Sequence, residues 1–549
     1  MRKLAPVHRD LVLVGGGHSH ALVLRMLAMK PIDGLRITLV SPGSHTPYSG
    51  MLPGLIAGHY NFEQTHIDLE RLCRWAGVRF VTAAVTALNP VSRSLAMADR
   101  PALGYDLVSI DIGSQPELSS VAGAREFAVP VKPVAGLWQR WQALSEVILE
   151  RAQSSHYRVS VVGGGAGGVE IAMAMSNRLG GRVAIDLWCA ATTLLEAYNP
   201  RARARVIAAL ARHNITVHLN ARVSAVMHDS LELEDGSVAP YGDLFWCTGA
   251  APAPWIAASG LPVDDRGFLA VRDTLQSTGD ERVFGAGDIA AQINHPRPKA
   301  GVYAVRQAPV LAHNLRAVAL GRPLKEHQPQ QRFLSLISLG DRQAVADRGP
   351  FSAGGNWVWR WKDHIDTSFM ARFSQLPKSM PQGHWGRLPE LADDSDQEAC
   401  GGCGAKVGAD VLSEALAILT KQFPQHCLAN GDDAVLLPAQ ERGPGAIVQS
   451  LDILREIVPD PWLMGRIAAN HALSDLYACG ARPVSALAAI TLPFAAGRIA
   501  LRDLTQILAG ALHEFAAVGC VLNGGHTMHG AELGVGFAVN GVAPSGGDS

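Results

Sequence analysis

Val159-Ser160-Val161-Val162-Gly163-Gly164-Gly165-Ala166-Gly167-Gly168-Val169-Glu170 is the stretch that decides the fold of the first two-thirds of the chain. An apolar, β-branched run leads into Gly163, Gly165 and Gly168, and the next residues suit a helix. In a dinucleotide-binding unit, three such glycines make the turn, admit a pyrophosphate and let helix and strand pack closely. The helix N-terminus then presents N–H groups to the phosphates. The alternative interpretation is a plain turn between a strand and a helix.

A second copy of this pattern lies near the N-terminus. Asp10-Leu11-Val12-Leu13-Val14 runs into Gly15-Gly16-Gly17-His18-Ser19-His20, followed by an apolar helical segment. Gly15 and Gly17 are in place, but His20 stands where the third glycine is expected. Two such units on one chain predict two dinucleotides that are held face to face.

Length and composition narrow the class of protein. A chain of 549 residues predicts more than one domain, and we expect three. The 48 Lys and Arg balance 49 Asp and Glu, and the absence of a basic stripe argues against a nucleic-acid partner. We find neither a run of 18 apolar residues nor a signal-peptide pattern. The eight cysteines are mostly scattered, which indicates reduced thiols, so we expect a cytoplasmic protein.

Several further residues in the first 310 positions suit cofactor binding. Ser41 ends the strand after the first helix, where a dinucleotide fold usually carries an acid for the ribose hydroxyls. Pro53 belongs to a proline-glycine loop that can wall a flat aromatic cofactor or form an ordinary surface turn. Thr248 and Gly249 end another strand. The equivalent ribose-acid position of the second unit falls near Cys189, so the preference for NADH or NADPH stays open.

Asp288 follows a strand and the turn at Gly287. Its carboxylate can accept hydrogen bonds from a ribityl chain, and the alternative role is a helix N-cap. Gln307 belongs to the next predicted helix, which is placed to cover a ring system.

Residues 8–370 resemble the two-dinucleotide flavoprotein family that includes type II NADH dehydrogenases and sulfide:quinone reductases. The resemblance implies that hydride passes from NAD(P)H to FAD, whose chemistry is the cofactor's own. It assigns FAD to the first glycine unit, with Gly15, Gly17 and His20, and to Asp288, and it assigns NAD(P)H to the second unit, with Gly163, Gly165 and Gly168. Further candidate cofactor contacts come from the residues themselves: Ser41, Pro53, Thr248, Gly249, Gly287 and Gln307. No CxxC motif lies in this range, which argues against a dithiol relay there.

The segment Asn356–Met370 mixes three tryptophans with cationic residues on a predicted helix. Such a helix can lie in a membrane interface, here through Trp357–Trp361, and the resembling dehydrogenases use one to reach quinone. The alternative is a helix that docks one domain on another. Residues 374–397 are polar and contain proline, which predicts a linker.

The composition changes again from Cys400 onward. Cys403 and Lys406 lie on a glycine-rich arm, where a neighbouring ammonium favours the thiolate. Cys400 and Cys403 could instead bind zinc, but a second such pair is absent. Three carboxylates at the ends of predicted elements suit Mg²⁺, although solvated caps and turns are the alternative: Asp433, Asp452 and Asp475. Asn523–Thr527 offers backbone N–H groups to a phosphate or forms a simple strand turn.

Residues 400–545 resemble the N-terminal part of selenophosphate synthetase (selenide, water dikinase), of the aminoimidazole-ribonucleotide-synthetase-like superfamily. The resemblance implies conversion of ATP, selenide and water to selenophosphate, AMP and phosphate. It assigns selenium and phosphoryl chemistry to Cys403 and Lys406, and Mg²⁺ to the three carboxylates. It assigns ATP to Lys406, Asp452, Asn470, Gly524, Gly525, His526 and Thr527. The family's second lobe does not follow before Ser549, so we expect either an incomplete synthetase or a fragment.

The predicted fold class is α/β, with two Rossmann-like domains followed by an α+β ATP-binding lobe. The expected domains are an oxidoreductase at 1–373 with the NAD(P)H subdomain inserted at about 155–250, the linker, and the lobe at 398–549. We expect an FAD-dependent NAD(P)H oxidoreductase that supplies reduced selenium to the lobe. The alternative is an NAD(P)H:quinone oxidoreductase at the inner face of a membrane, with a dimerising lobe; a homodimer is expected in both cases.

Overall fold

The computed structural model describes residues 6–132, 134–151, 157–378, 385–392, 409–424 and 447–542. The first part of the chain forms a Rossmann-like unit around a parallel sheet. Its elements up to the first crossover are β1 Arg9–Val14, α1 His18–Ala28, β2 Leu35–Ser41, β3 His45–Pro47, α2 Leu52–Ile56, α3 Phe62–Thr65, β4 His66–Asp68, α4 Leu69–Ala76, β5 Arg79–Thr82, β6 Val85–Asn89, β7 Ser94–Met97, β8 Arg100–Gly104 and β9 Leu107–Ile110.

A second Rossmann-like unit follows. Its elements are α5 Ala124–Phe127, β10 Val129–Pro130, α6 Val134–Arg151, β11 Arg158–Val162, α7 Ala166–Leu179, β12 Ala184–Trp188, α8 Pro200–Arg212, β13 Ile215–His218, β14 Val223–Val226, β15 Ser230–Leu233, β16 Val238–Pro240 and β17 Asp243–Trp246. Its parallel sheet has the strand order β10-β17-β11-β12-β13. The buried apolar strands β11 and β12 explain this arrangement, because parallel strands are covered on both faces.

The chain then returns to the first unit, because β19 completes the sheet order β19-β9-β1-β2-β5. The elements of this return are α9 Pro254–Ala258, β18 Leu269–Val271, β19 Val283–Gly285, β20 Ala290–Gln292, α10 Gly301–Ala319, β21 Ser335–Ser338, β22 Ala344–Arg348, β23 Phe351–Gly355 and α11 Asn356–Ser374. In the described part of the predicted linker, Leu388 and Leu391 are buried against the first unit. That part is therefore docked, although its composition is polar.

The C-terminal lobe is an α+β layer. Its elements are α12 Ala409–Gln422, β24 Ile447–Arg455, α13 Pro461–Ala478, β25 Arg482–Pro493, α14 Gly497–Ala517, β26 Val521–Gly530 and β27 Gly534–Val542. The sheet order is β24-β27-β25-β26, and α12, α13 and α14 share one hydrophobic core with its strands. Asp452 lies within β24, so the predicted strand end is wrong there, and Gly524–Thr527 lies within β26, so the alternative of a simple strand turn is wrong as well.

The reasons for these two corrections lie in the strand pairing. The pairing of β24 with β27 continues past Asp452 to Arg455 and Gly534, so the strand does not end at the carboxylate. Gly524 and Gly525 have φ of 143° and 153°, and the neighbouring strand shifts register between Ala486 and Ala488. The glycines therefore form an irregularity inside a strand, which glycine tolerates.

Helix α14 docks the lobe on the first unit through ion pairs. Asp503 accepts from Arg36 and from Arg79, at 2.5 and 2.9 Å. Arg502 donates to Asp10 at 2.8 Å, and Arg36 donates to the same carboxylate. Burial raises the pKa of the Asp503 carboxyl group, but the two arginines outweigh burial and hold this pKa well below its usual range.

A second set of contacts extends this interface from β8 to α13 and α14. Arg100 donates two hydrogen bonds of 2.7 Å to Asp460, the N-cap of α13, and its guanidinium lies over the Trp462 ring. Gln506 donates to the carbonyl groups of Pro101 and Ala102. The docking surface therefore consists mainly of oriented polar contacts.

We expect Asp503→Asn to lower the free energy of unfolding by about 3–5 kcal/mol, because the substitution leaves the mostly buried Arg79 without a carboxylate and removes one of the two carboxylates that pair with Arg36. Urea denaturation of the full chain, followed by tryptophan fluorescence, measures this change. Glu70→Gln is the matched control, since its ion pair with Arg74 is mostly exposed and should contribute less than about 1 kcal/mol. Equal losses in the two variants would contradict the buried network.

Candidate functional site

The second glycine turn borders a cavity of about 620 Å³. The lining of this cavity contains four of the residues predicted to bind a cofactor: Gly163, Gly165, Thr248 and Gly249. Gly165 is the N-cap of α7 and makes no side-chain cap, and a Cβ added to it would meet nothing within 4 Å. The N-terminus of α7 is therefore open to the cavity, as an incoming pyrophosphate requires.

Gly168 has a different role in the same turn. A Cβ at this position would lie 2.0 Å from the backbone oxygen of Gly163. Gly168 therefore permits the close contact between α7 and β11 and lies behind the turn. The neighbouring Gly167 has no atom within 4 Å of an added Cβ.

The strand beside this turn carries an acid that is already paired. Asp186 of β12 is buried and accepts from Arg158 at 2.6 Å and from His218 at 2.9 Å. The end of β12 presents Trp188 and Cys189 to the cavity, and a Cβ at Gly164 would clash with the Cys189 sulfur.

The first glycine turn closes around a carboxyl group that our sequence reasoning did not single out. Asp111 follows β9, is buried, and accepts from the backbone N–H of His20 at 3.0 Å. A Cβ added to Gly17 or to Gly287 would come within 2.4 Å of this carboxyl group. Burial raises the pKa of Asp111 to about 7. An acid at the end of the apolar run Leu107–Ile110 was the available signal.

His20, predicted to contact the cofactor, instead stabilises the first glycine turn through buried hydrogen bonds. Its ring is fully buried, with Nδ1 2.7 Å from the Gly15 oxygen and Nε2 2.8 Å from Ser109 Oγ. Burial lowers the pKa of His20 to about 4. Because both ring nitrogens are bonded within the protein, the ring replaces the third glycine by filling space between helix and strand.

His18, two residues earlier, was also missed. Its Nε2 lies 3.1 Å from the Pro47 oxygen, and its ring meets Tyr48 and Phe369 edge-on. Burial lowers the pKa of His18. The ring lies between the first turn and the start of α10, because its Nδ1 is 3.7 Å from where a Cβ of Gly301 would stand.

The remaining predicted residues of the first unit lie close to this region. Gly287 has φ of 69°, and its N–H donates to Gln307 Oε1 at 2.7 Å, so Gln307 fixes the turn. Asp288 accepts from Lys132 at 2.9 Å and from Ser114 at 3.1 Å and is not a helix N-cap.

Ser41 and Pro53 complete the predicted set of the first unit. Ser41 ends β2 and is buried. Pro53 lies in the first turn of α2, where a proline costs no hydrogen bond, so part of the predicted loop is helical.

A buried charged group lies between the two units, on α11. Lys362 donates to Asp366 and to the Gly50 oxygen, both at 2.5 Å, and Tyr48 donates to Asp366 at 3.2 Å. Glu170, which follows the second glycine turn, accepts from the N–H of Ser338, and burial raises the pKa of Glu170 to about 7.

The lobe places two of its predicted carboxylates together. Asp475 on α13 accepts from Ser450 at 2.6 Å and interacts with the carboxyl group of Asp452. His471 lies 3.8 Å from Asp452, and Asn470 bonds to Glu514. Gly524, Gly525, His526 and Thr527 lie along β26 of the same lobe, with His526 exposed.

Three predicted residues of the lobe, Cys403, Lys406 and Asp433, lie outside the described residues. Within the described ranges, no group of three or more His, Cys, Asp or Glu side chains is placed to hold a metal ion. The same ranges contain no helix that is long and apolar enough to cross a membrane.

Residues 9–308, more than half of the chain, match the family described as pyridine nucleotide-disulphide oxidoreductase. The chain belongs to this family. The match implies FAD and NAD(P)H as cofactors and confirms the predicted resemblance and fold class. Residues 431–543 match the N-terminal domain of AIR synthase related protein, which confirms the predicted lobe.

Individual relatives divide along the same boundary. Demethylphylloquinone reductase NdbB from Synechocystis is 26% identical over 59% of this chain and 84% of its own length. Selenide, water dikinase from Desulfitobacterium hafniense is 41% identical over 26% of this chain and 41% of its own length. The chain thus spans about two-fifths of that synthetase.

Solved structures support the fold of the first part. The sulfide:quinone oxidoreductase from Aquifex aeolicus has a TM-score of 0.56 at 18% identity, over 67% of this chain and 92% of its own. NDH2 from Plasmodium falciparum in complex with NADH has a TM-score of 0.56 at 16% identity, over 67% and 99%. At these identities the likeness shows the fold alone.

We expect stability to fall as the pH rises from about 4 to about 7, through Asp111. Its pKa is raised in the folded state, so the folded protein binds more protons than the unfolded chain in this window. Asp111→Asn removes this contribution. Urea unfolding at pH 5 and pH 8 measures the slope of the free energy of unfolding against pH in the wild type and in the variant. The exposed substitution Glu232→Gln should leave the wild-type slope, and an unchanged slope in Asp111→Asn would contradict the assignment.

Proposed function

We propose that the chain is an FAD-dependent NAD(P)H oxidoreductase joined to a selenophosphate-synthetase-like lobe. The observation that carries the redox part is the open N-terminus of α7 at the mouth of a 620 Å³ cavity, within a matched oxidoreductase family. Gly163, Gly165, Thr248 and Gly249 would hold NAD(P)H. Hydride chemistry belongs to the flavin, and the protein binds and orients the two cofactors.

The residues of the first unit fit FAD. Gly15 and Gly17 leave no room for a Cβ, and α1 has no side-chain cap of its own at Gly17. Asp111 reaches the same helix end, and its raised pKa favours a neutral carboxyl group beside an anionic pyrophosphate. Asp288, fixed by Lys132 and Ser114, would accept from ribityl hydroxyls.

The other predicted residues would shape the site. Gln307 holds the turn of Gly287, Pro53 lies in the first turn of α2, and Ser41 ends a strand that would face the adenosine ribose. The buried ring of His20 would support the turn without contacting the cofactor.

Gly168→Ala should raise the KM for the nicotinamide nucleotide at least tenfold, because the added methyl group pushes α7 away from Gly163. The flavin absorbance band and its content should stay near wild type. Stopped-flow reduction of the flavin by NADH and by NADPH measures the effect. Gly167→Ala adds the same methyl group in open space and should remain within twofold of wild type. A colourless wild-type preparation, or one that neither nucleotide bleaches, would end the redox proposal.

For the lobe we propose a site for Mg²⁺ and ATP. Asp452 and Asp475 lie together, and an unpartnered Asp452 oxygen is buried beside His471. Carboxylate oxygens are the ligands that Mg²⁺ prefers. Asp433, Cys403 and Lys406 would join them by resemblance, and the selenide-dependent reaction is proposed on that basis alone.

Asp475→Asn should weaken Mg²⁺-dependent ATP binding at least tenfold, because it removes one of the paired carboxylates. Equilibrium dialysis with radiolabelled ATP, with and without Mg²⁺, measures this binding in the full chain. Glu532→Gln, an exposed acid of the same lobe, serves as the control. ATP binding that ignores both Mg²⁺ and Asp475 would contradict the proposed site.

A second candidate function is NAD(P)H:quinone oxidoreduction at a membrane surface, with the lobe as a dimerising module. One observation favours it: α11 exposes Trp357, Trp361 and Ile365, spaced four residues apart, with Phe351 also exposed before the helix. Tryptophan and basic residues on one helix suit a membrane interface. The relative from Synechocystis is named for reduction of a quinone.

Liposome flotation tests this candidate. The wild type should float with vesicles of anionic phospholipid, and Trp357→Ala with Trp361→Ala should lose most of this association, because two large side chains leave the apolar stripe. Trp462→Ala, in the lobe, serves as the control for loss of a tryptophan. Flotation that does not depend on the stripe, or no flotation at all, would remove the second candidate.

A further inference from the structure

A second cavity, of about 400 Å³, lies beside the turn of Asp288. Gly287, Asp288 and Gln307 belong to its lining. The lining also contains three cationic residues that the predicted cofactor site does not use: Arg266, Arg297 and Lys299. None of the motifs described above includes these three residues.

Within the described residues, backbone oxygens accept the hydrogen bonds of the three cations. Lys299 Nζ donates to the Ala290 oxygen, at 2.8 Å, and Arg297 donates to the Pro296 oxygen. Arg266 donates from its guanidinium to the Ala250 oxygen, at 2.8 Å. Among the described ranges of the chain, none of the three forms an ion pair, and the Nε of Arg297 is buried without a hydrogen-bond partner.

Two acids also line the cavity, Asp264 and Asp288, and both attract the ammonium group of Lys299. Asp264 accepts the backbone N–H groups of Arg266 and Phe268 at 3.0 and 2.9 Å. Asp288 also pairs with Lys132, at 2.9 Å. The three cations of the lining therefore face two carboxylates, one of which is shared with Lys132, and the cavity carries net positive charge.

An aromatic ring fixes two of the cations. Lys299 Nζ lies 3.9 Å and the Arg266 guanidinium 5.3 Å from the centre of the Phe268 ring, which is fully buried. Cation–π contacts of this kind hold the positive groups in place without neutralising them. Burial lowers the pKa of Lys299 to about 8, and the carboxylates of Asp264 and Asp288 only partly oppose this shift.

We propose that this cavity is a binding site for a small oxyanion, held by Lys299, Arg297 and Arg266. A planar guanidinium and a fixed ammonium are the groups that recognise oxyanions in proteins. The link to redox chemistry rests on the proposed function, because Asp288, which would accept from the ribityl chain of the flavin, lines the same cavity.

Isothermal titration calorimetry of the full-length holoprotein tests the site, with sodium sulfate as the probe and ionic strength held constant with chloride. Selenite and acetate are titrated in parallel to separate oxyanions from carboxylates. Sulfate and selenite should bind saturably. Lys299→Gln and Arg297→Gln should each weaken binding at least tenfold, and Lys299→Arg should restore most of it. Arg322→Gln, an exposed cation after α10, should bind as the wild type does.

The proposal is overturned if the wild type shows no saturable binding of sulfate, or if Arg322→Gln weakens binding as much as Lys299→Gln does. If the wild type binds no sulfate and Lys299→Gln or Arg297→Gln releases its flavin, the cations serve the FAD phosphates instead. Flavin reduction by NADH is recorded on the same samples. If the flavin is reduced but no anion binds, only the anion site is overturned. If the anion binds but the flavin is not reduced, only the proposed redox function is overturned.

Discussion

Backbone crowding at the two glycine turns is the constraint on which the rest of the structure depends. A Cβ at Gly15 would lie 2.4 Å from the Asp111 oxygen, and one at Gly168 would lie 2.0 Å from the Gly163 oxygen. Each turn therefore brings a helix end directly against the carboxyl end of a parallel sheet. Because ligands of such sheets bind at those carboxyl ends, the two turns also fix where the cofactors can lie.

Most of the fold could be predicted from the sequence because its signals are local. The apolar run before Gly163 and the helix after it appear where the spacing indicates. The errors occur where pairing between strands that are distant in sequence overrides the local signals for a strand end or a turn. Asp452 and Gly524 read as a strand end and a turn, but their partner strands continue past them.

The candidate site was predicted less completely than the fold, and the reason is physical. The glycines can be recognised in the sequence because a tight turn excludes other residues. Asp111, His18 and Lys132 take their places in the site only through tertiary contacts. Nothing in the spacing of Lys132 links it to Asp288, which is 156 residues away. His20 shows the opposite case: the sequence marks it as a departure, and only the buried hydrogen bonds explain how a histidine replaces a glycine.

The place where α14 docks has a consequence for any small molecule that passes between the first unit and the lobe. Asp10, Arg36 and Arg79 stand at the amino-terminal ends of their strands, whereas the first glycine turn lies at the opposite ends. A strand of six residues spans roughly 20 Å, so the sheet itself separates α14 from the first glycine turn. Under the proposed function, a reactive product that passes between the two centres would have to travel around the edge of the first unit through water, and its lifetime in solvent would limit the amount delivered.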